Sequence, residues 1–130
     1  MNSVKIKKHS GEGGYSYKDA SRYGLEILAE WFTDDVRNIK SWIEWFNNDE
    51  YNETDSNATW LEKHGENIVF GSITDLMTKK NYEIPGKYTV TVAKQNVLEL
   101  LIVWEKVLKT RPNEIMLVEE DGVYRMFEVQ

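Results

Sequence analysis

The two histidines and a nearby glutamate are the residues of this sequence best suited to acid–base chemistry. Neither His9 nor His64 belongs to a spacing that builds a metal site, such as two histidines one helical turn apart. Glu62 and His64 alternate along a predicted strand, so both side chains lie on one face, where the carboxylate can orient the imidazole as a general base. No nucleophile or oxyanion hole can be recognised beside them in the sequence. Catalysis by this pair is therefore the third of three functional hypotheses.

A glycine-rich segment and the pairs of adjacent carboxylates are further candidates for chemistry. Residues 11–14 read Gly-Glu-Gly-Gly, whose amides could bind a phosphate, but no Gly-Lys-Ser or Gly-Lys-Thr continuation follows, so the segment predicts a turn. Adjacent acids occur at 34–35, 49–50 and 119–120. Glycosidases need two carboxyls that face each other in different environments, and adjacent acids do not provide this. We expect the 34–35 pair to stabilise the first turn of a helix.

A third set of residues is suited to association with another protein. Residues 41–62 contain six acidic residues and no Lys or Arg, so this segment carries the whole net charge of −6. A concentrated negative field attracts basic proteins and repels phosphate backbones, so we expect a protein partner and no nucleic acid. Trp and Tyr side chains dominate the binding energy of many interfaces. The predicted partner-binding surface consists of Glu44, Trp45, Asp49, Glu50, Tyr51, Glu53 and Asp55.

Trp45 and Tyr51 are the aromatic members of this predicted surface. Trp45 lies off the apolar stripe of a predicted helix, among polar residues, where burial against the same core is hard to arrange. The other aromatic side chains of the segment, Trp42, Phe46 and Trp60, are assigned to the core. The surface therefore combines exposed aromatic residues with a rim of acidic ones.

Length and composition limit the class of protein. A chain of 130 residues is long enough for one domain with its own core, so we predict a single domain over residues 1–130. The lack of cysteine excludes disulfides, thiol catalysis and cysteine-ligated metals, and it is more usual inside cells than in small secreted proteins. No apolar run has the length of a signal-peptide core or of a membrane span. We predict a cytoplasmic protein that contacts no membrane, needs no metal or cofactor, and is not an enzyme.

The central element is a predicted helix at about residues 96–110. Apolar residues at helical spacing, among them Val97 and Trp104, form a wide stripe, and further apolar residues lie outside it. A short helix that is apolar on most of its circumference is expected to lie inside the core. Asn96 is its predicted N-cap, and Pro112 prevents the helix from continuing.

A second helix is predicted at about residues 34–48. Thr33 is its expected N-cap, because a hydroxyl can accept from the free amides of the first turn. The apolar stripe of this helix consists of Val36, Ile39, Ile43 and Phe46. This pattern predicts an amphipathic helix that lies on a sheet or on the central helix.

The remaining segments predict an antiparallel sheet. The segments that read as strands are 4–8, 25–32, 59–63, 67–73, about 76–80, 87–93, 114–119 and 123–129. A helix remains an alternative for 25–32, which contains no helix breaker, and residues 15–24 are ambiguous. Asp121-Gly122 predicts a tight turn between the last two strands. The predicted fold class is therefore α+β, with a mainly antiparallel sheet, two principal helices on one side of it and a C-terminal β-hairpin.

Residues 87–129 resemble the strand, helix and hairpin that end small acidic immunity proteins of bacterial polymorphic and contact-dependent toxin systems. The resemblance rests on YTVTVAKQNVLELLIVWEKVLKTRPNEIMLVEEDGVYRMFEV, with Trp-Glu-Lys in the helix and Pro-Asn-Glu before the hairpin. It implies a cysteine-poor cytoplasmic protein that binds and neutralises a toxin. Immunity proteins that oppose nucleases often mimic the negative charge of the nucleic acid.

Two binding hypotheses follow in addition to the catalytic one. The first is an immunity protein that occludes a basic bacterial toxin domain, for example a nuclease, through acidic and aromatic contacts. The alternative is a small-molecule or sugar-binding domain in which tryptophans line a pocket. The sequence leaves the oligomeric state open.

Overall fold

The computed structural model describes residues 2–9, 14–18, 23–73 and 89–129. The elements in this part of the chain are β1 (Asn2–Lys8), β2 (Tyr15–Lys18), α1 (Tyr23–Glu30), a π-helical turn (Trp31–Asp35), α2 (Ile39–Asn47), β3 (Glu53–Asp55), β4 (Thr59–His64), β5 (Asn67–Ser72), β6 (Thr89–Ala93), α3 (Lys94–Thr110), β7 (Glu114–Glu120) and β8 (Val123–Glu128). They confirm the α+β class and the C-terminal β-hairpin. The strand predicted at 76–80 and residues 11–13 of the glycine-rich segment lie outside the described residues.

The described strands form two antiparallel sheets rather than one. The first sheet has the strand order β2-β1-β7-β8, and the second has the order β3-β4-β5-β6. In the first sheet Val4 lies opposite Leu117, and in the second Leu61 lies opposite Phe70; all four side chains are buried. Because alternate residues of a strand point to opposite faces, each sheet has one face in the shared hydrophobic core.

Residues 25–32 are helical, so the strand predicted there is wrong and the helical alternative is confirmed. α1 runs through this segment and continues into the π-helical turn. Leu25 and Ile27 follow the alternation of a strand, but Leu28 and Phe32 are fully buried as well. α1 packs against strands of both sheets, which cover it on more than one side. Only Glu26, which is exposed, and Glu30, which is half-buried, form a polar face, and so narrow a face does not distinguish helical from strand periodicity.

The helix predicted at 34–48 begins later than expected. The Thr33 hydroxyl donates to the carbonyl oxygen of Ala29 at 2.8 Å, so it belongs to the preceding helical turn and does not cap α2. The N-cap of α2 is Asn38, whose side-chain oxygen accepts from the backbone N–H of Ser41 at 3.1 Å. The expected capping role of the acids at 34–35 is therefore wrong as well.

α3 occupies nearly the predicted range and ends where Pro112 requires. Arg111 follows it in the left-handed conformation, with φ of 54°. Asn96 is not the N-cap: its carboxamide forms two 2.8 Å hydrogen bonds with the backbone of Tyr124 on β8. The Trp104 indole N–H donates to the Val36 carbonyl at 2.9 Å, which joins α3 to the chain before α2.

The hairpin of β7 and β8 has the predicted turn. Asp121 and Gly122 have φ angles of 53° and 81°, which are the left-handed conformations that a type I′ turn needs. No helix in the described part of the chain is long and apolar enough to cross a membrane.

The close contact between Gly71 and Trp60 leads to a prediction about stability. A Cβ atom at position 71 would overlap the Trp60 indole, which is 1% exposed. We expect Gly71→Ala to lower the free energy of unfolding by about 1–3 kcal/mol, because the ring has to move out of a packed site. Urea unfolding measures this, with Gly14→Ala as the control, since a Cβ there meets only ordinary contacts. Equal stability of the two variants would contradict the packing described.

Candidate partner-binding surface

The residues of the predicted surface lie on three consecutive segments. The surface comprises Glu44 and Trp45 on α2, Asp49, Glu50 and Tyr51 in the connection 48–52, and Glu53 and Asp55 on β3. All of these side chains are exposed except that of Trp45, which is half-buried. The acidic members of the surface thus face solvent.

Lys63 on β4 fixes the end of α2 and the connection that follows. Its ammonium donates to the carbonyl oxygens of Trp45 and Asn48, the second at 2.7 Å. The last carbonyls of a helix have no partner within the helix, and the helix dipole favours a cation beside them. The backbone N–H of Lys63 donates to the Asn52 carbonyl at 2.7 Å. Both ends of the connection 48–52 are therefore attached to β4.

The electrostatic surroundings of Lys63 agree with this inward position. Burial lowers the pKa of the Lys63 ammonium below its ordinary value, Asp49 opposes this shift, and Lys94 adds to it. Lys63, the first basic residue after the acidic segment, is thus partly buried and bonded to two backbone carbonyls. Asp49 is the one exposed carboxylate of the segment that interacts electrostatically with it.

Trp45 packs against the core, contrary to the expectation from helical periodicity. The Lys63 ammonium lies 4.2 Å from the centroid of the Trp45 ring, in the range of a cation–π contact. On its other side the ring meets Phe46 and Trp42, with centroids 5.1 and 6.2 Å away. β4 therefore supplies the cover that the helix alone does not provide. Only part of Trp45 is left for a partner to contact.

Trp45 is the outermost ring in a continuous series of aromatic contacts. From Trp42 the series reaches Trp31 at 5.2 Å, Phe32 at 4.8 Å and Trp104 at 5.5 Å between successive centroids. Two of the four successive pairs, Trp45 with Trp42 and Trp42 with Trp31, are edge-to-face, an arrangement that aromatic quadrupoles favour. The series connects the end of α2 to the interior helix α3 and gives the surface a rigid base.

The three aromatic residues assigned to the core, Trp42, Phe46 and Trp60, are buried to different degrees. Phe46 and Trp60 are each 1% exposed, as predicted. Trp42 is half-buried, and its indole N–H donates to the Asp35 carbonyl at 3.4 Å. No tryptophan lines the cavity between β1 and β2, the cavity between α3 and β8, or the one formed by residues 37–40 and 105–109.

The two acidic residues of β3 lie on the face of the second sheet opposite to the side on which Trp45 packs. Thr54 lies opposite Leu61, a core residue, so the side chains of Glu53 and Asp55 point to the opposite face of the second sheet. Glu53 there lies directly opposite Glu62 on β4. Trp45, by contrast, lies on the same side of the sheet as Lys63. The predicted surface thus bends around the edge strand β3.

Asp35 binds the chain that directly follows the last residue of the predicted surface. Its carboxylate accepts from the Ser56 hydroxyl at 2.7 Å and from the Ala58 backbone N–H at 3.2 Å. These bonds fix the chain between β3 and β4 to the π-helical turn. The roles of Asp35 and Lys63 were missed from the sequence, because their partners are separated from them by 15 to 23 residues. The one signal in the sequence is that Lys63 is the first basic residue after the predicted helix and the acidic segment.

The pair Glu62 and His64 does share one face of β4, as its spacing predicts. Its neighbours on β5 are Val69 and Asn67, and on β3 Glu53 lies opposite Glu62. Among the residues in the described ranges, no group of three or more His, Asp or Glu side chains could hold a metal ion. The arrangement offers no further support for a catalytic site.

The role of Lys63 can be tested through stability. We expect Lys63→Met to lower the free energy of unfolding by about 1–3 kcal/mol, because two carbonyls at the end of α2 lose a charged donor. The fluorescence of Trp45 should change with it. Lys40→Met is the control, since it removes an exposed lysine from the same helix. If both variants unfold at the same denaturant concentration, Lys63 does not fix the helix end.

Similarity to known proteins gives no independent information about this surface. No family model matches the chain, and no match is found among curated proteins or among solved structures. Its role is therefore inferred from the side chains that it exposes and from the contacts that hold them.

Proposed function

We propose that this chain is a non-enzymatic protein-binding protein, an immunity protein that binds and neutralises a basic bacterial toxin domain. The observation that carries the proposal is the exposure of the acidic residues at 44–55 around Tyr51, which is 56% exposed. Residues 41–62 contain no Lys or Arg that could offset this charge. A partner with excess positive charge would be attracted from a distance and held in a fixed orientation.

The aromatic residues supply the short-range part of the proposed interaction. Tyr51 is one of the few large apolar side chains left exposed in the described part of the chain, and it stands among acids in the connection 48–52. An exposed Tyr loses little conformational freedom when it is covered, and it can contribute both apolar area and a hydrogen bond. The exposed part of Trp45, on α2, adds a second aromatic side chain to the same surface.

The shape of the surface favours a partner that reaches around an edge. Glu53 and Asp55 lie on one face of β3, whereas Trp45 lies on the other side. Acidic side chains on a short edge strand also discourage pairing with another acidic chain. The surface is thus suited to a basic partner that covers β3 rather than to a second copy of this chain.

The resemblance of residues 87–129 to immunity proteins supports a toxin as the kind of partner. Under this proposal the carboxylates at 44–55 take the place of the phosphates that a nuclease toxin binds. Inhibition then results from occlusion of the toxin's substrate site, and the chain itself performs no reaction.

Affinity capture from a lysate of the source organism tests the proposal. The baits are the wild type, the Glu50→Lys/Tyr51→Ala double variant, and Glu99→Lys, which makes the same change of charge at an exposed position of α3. We expect a basic protein on the wild-type and control baits and not on the double variant. Co-expression of the wild type should suppress the toxicity of the captured protein in bacterial cells. Capture by all three baits alike, or toxicity that persists, would contradict the proposal.

Binding kinetics separate the two parts of the interaction. Glu50→Lys should slow association with the captured protein, and so should added salt, because screening shortens the field that steers the encounter. Tyr51→Ala should instead speed dissociation by roughly tenfold, the effect of losing about 1–2 kcal/mol of contact energy. Stopped-flow or surface-based measurements give both rates. An association rate that ignores salt would count against steering by this surface.

A further inference from the structure

The strand β8 has a hydrogen-bonding edge that is only partly closed. It is the last strand of the first sheet and pairs with β7 on one side. The backbone N–H and C=O of Tyr124 face away from β7, since both bond to the Asn96 carboxamide at 2.8 Å. The N–H of Val129 donates instead toward β7, to the backbone carbonyl oxygen of Glu114 at 3.0 Å. Because backbone orientation alternates along a strand, Met126 and Glu128 also present their N–H and C=O groups outward.

Asn96 thus acts as a substitute strand partner for one residue of the edge. Beyond it, no described residue forms a backbone bond to the outward groups of Met126 and Glu128. An open edge of this kind is a template for pairing with another chain. The edge strand of the second sheet, β3, carries Glu53 and Asp55, whereas β8 carries no comparable row of acids.

Exposed apolar side chains lie along the same edge. Phe127 is 47% exposed on the outer face of the first sheet, and Ile102 on α3 is 62% exposed on the other side. A shallow cavity of about 580 Å³ runs between α3 and β8, and both of these residues line it. Val123 on β8 is 55% exposed. Three of the four large exposed apolar residues of the described ranges therefore belong to β8 or to the helix beside it.

We propose that β8 pairs antiparallel with β8 of a second copy of this chain, about a twofold axis at Phe127. In this register Met126 of each copy lies opposite Glu128 of the other. Each such pair exchanges two backbone hydrogen bonds, so every outward group of these residues is satisfied. A register centred on Met126 would require the outward groups of Tyr124, which Asn96 already occupies. The first sheet of one copy and the first sheet of the other then form one continuous sheet.

The side chains fit this register. The two Phe127 residues form a pair that is not hydrogen-bonded, in which Cα atoms approach to about 4.5 Å and the rings face each other on one side of the sheet. The charged residues that line the cavity are Glu105, Lys106, Lys109 and Glu128, with both signs equally represented. Glu128 of each copy approaches the side of the cavity that carries lysines in the other. This charge balance favours a second copy over a strongly basic partner.

This dimer does not rest on the function proposed above, because it uses none of the residues at 44–55. The two surfaces can be tested separately, since substitutions on β8 leave the acidic residues unchanged.

Cysteine cross-linking tests the register directly, because the chain contains no cysteine of its own. Under mild oxidation we expect Phe127→Cys to form a covalent dimer, since the predicted Cα separation lies within the range of a disulfide. Val123→Cys is the matched control: it lies on the same strand and face, but outside the paired residues. Cross-linking of the control as fast as of Phe127→Cys would overturn the register.

Analytical ultracentrifugation of the intact chain gives the second readout. We expect a wild-type dimer whose dissociation constant rises by at least roughly tenfold in Phe127→Lys, where two lysines face each other, and is unchanged in Val123→Lys. Circular dichroism shows whether each variant is folded. A wild type that is monomeric at every soluble concentration would overturn the proposal. A monomer whose β8 edge pairs with a strand of a different protein would overturn it as well.

Discussion

The contact between the Lys63 ammonium and the last carbonyls of α2 is the interaction on which the presentation of the acidic segment depends. It closes the helix, covers one face of Trp45 and attaches the connection 48–52 to β4. The ammonium also lies close enough to Asp49 to interact with it electrostatically. A loop with several like charges would otherwise expand through self-repulsion. This half-buried contact thus helps to hold the exposed carboxylates at defined positions.

The edge strands β3 and β8 differ in how far they are open to pairing with another strand. β3, the edge of the second sheet, is short and acidic, and the chain that follows it is fixed by Asp35. β8, the edge of the first sheet, is partly closed by the Asn96 carboxamide and has exposed apolar neighbours. Charge at one edge disfavours strand addition, and unpaired backbone with apolar side chains favours it at the other. This difference supports the two proposals, that a basic partner contacts the β3 edge and that a second copy of the chain pairs with β8.

Local signals were sufficient for some elements. Pro112 and the run of apolar residues before it predicted α3, and Asp121-Gly122 predicted the hairpin, because each signal acts within a few residues. α1 was kept only as the alternative to a strand, because both sheets cover it and leave a polar face of just Glu26 and Glu30 to show its period. A burial pattern that arises from tertiary contacts is not readable from the spacing of residues alone.

The candidate surface was predictable only in part for the same reason. Composition identified the acidic segment, and the exposure of Tyr51 agrees with its assignment. The half-burial of Trp45 and the separation of Glu53 from it by β3 depend on strand register and on Lys63, which is distant in sequence. Helical periodicity describes one face of α2, but it carries no information about which strand lies against the other.

Hydrogen–deuterium exchange on the complex with the captured basic protein tests the central claim most directly. The account predicts that binding slows exchange at amides between residues 44 and 55, with little change along α3. Protection confined to other parts of the chain, or no protection on adding the partner, would contradict the assignment of the acidic surface as the binding site.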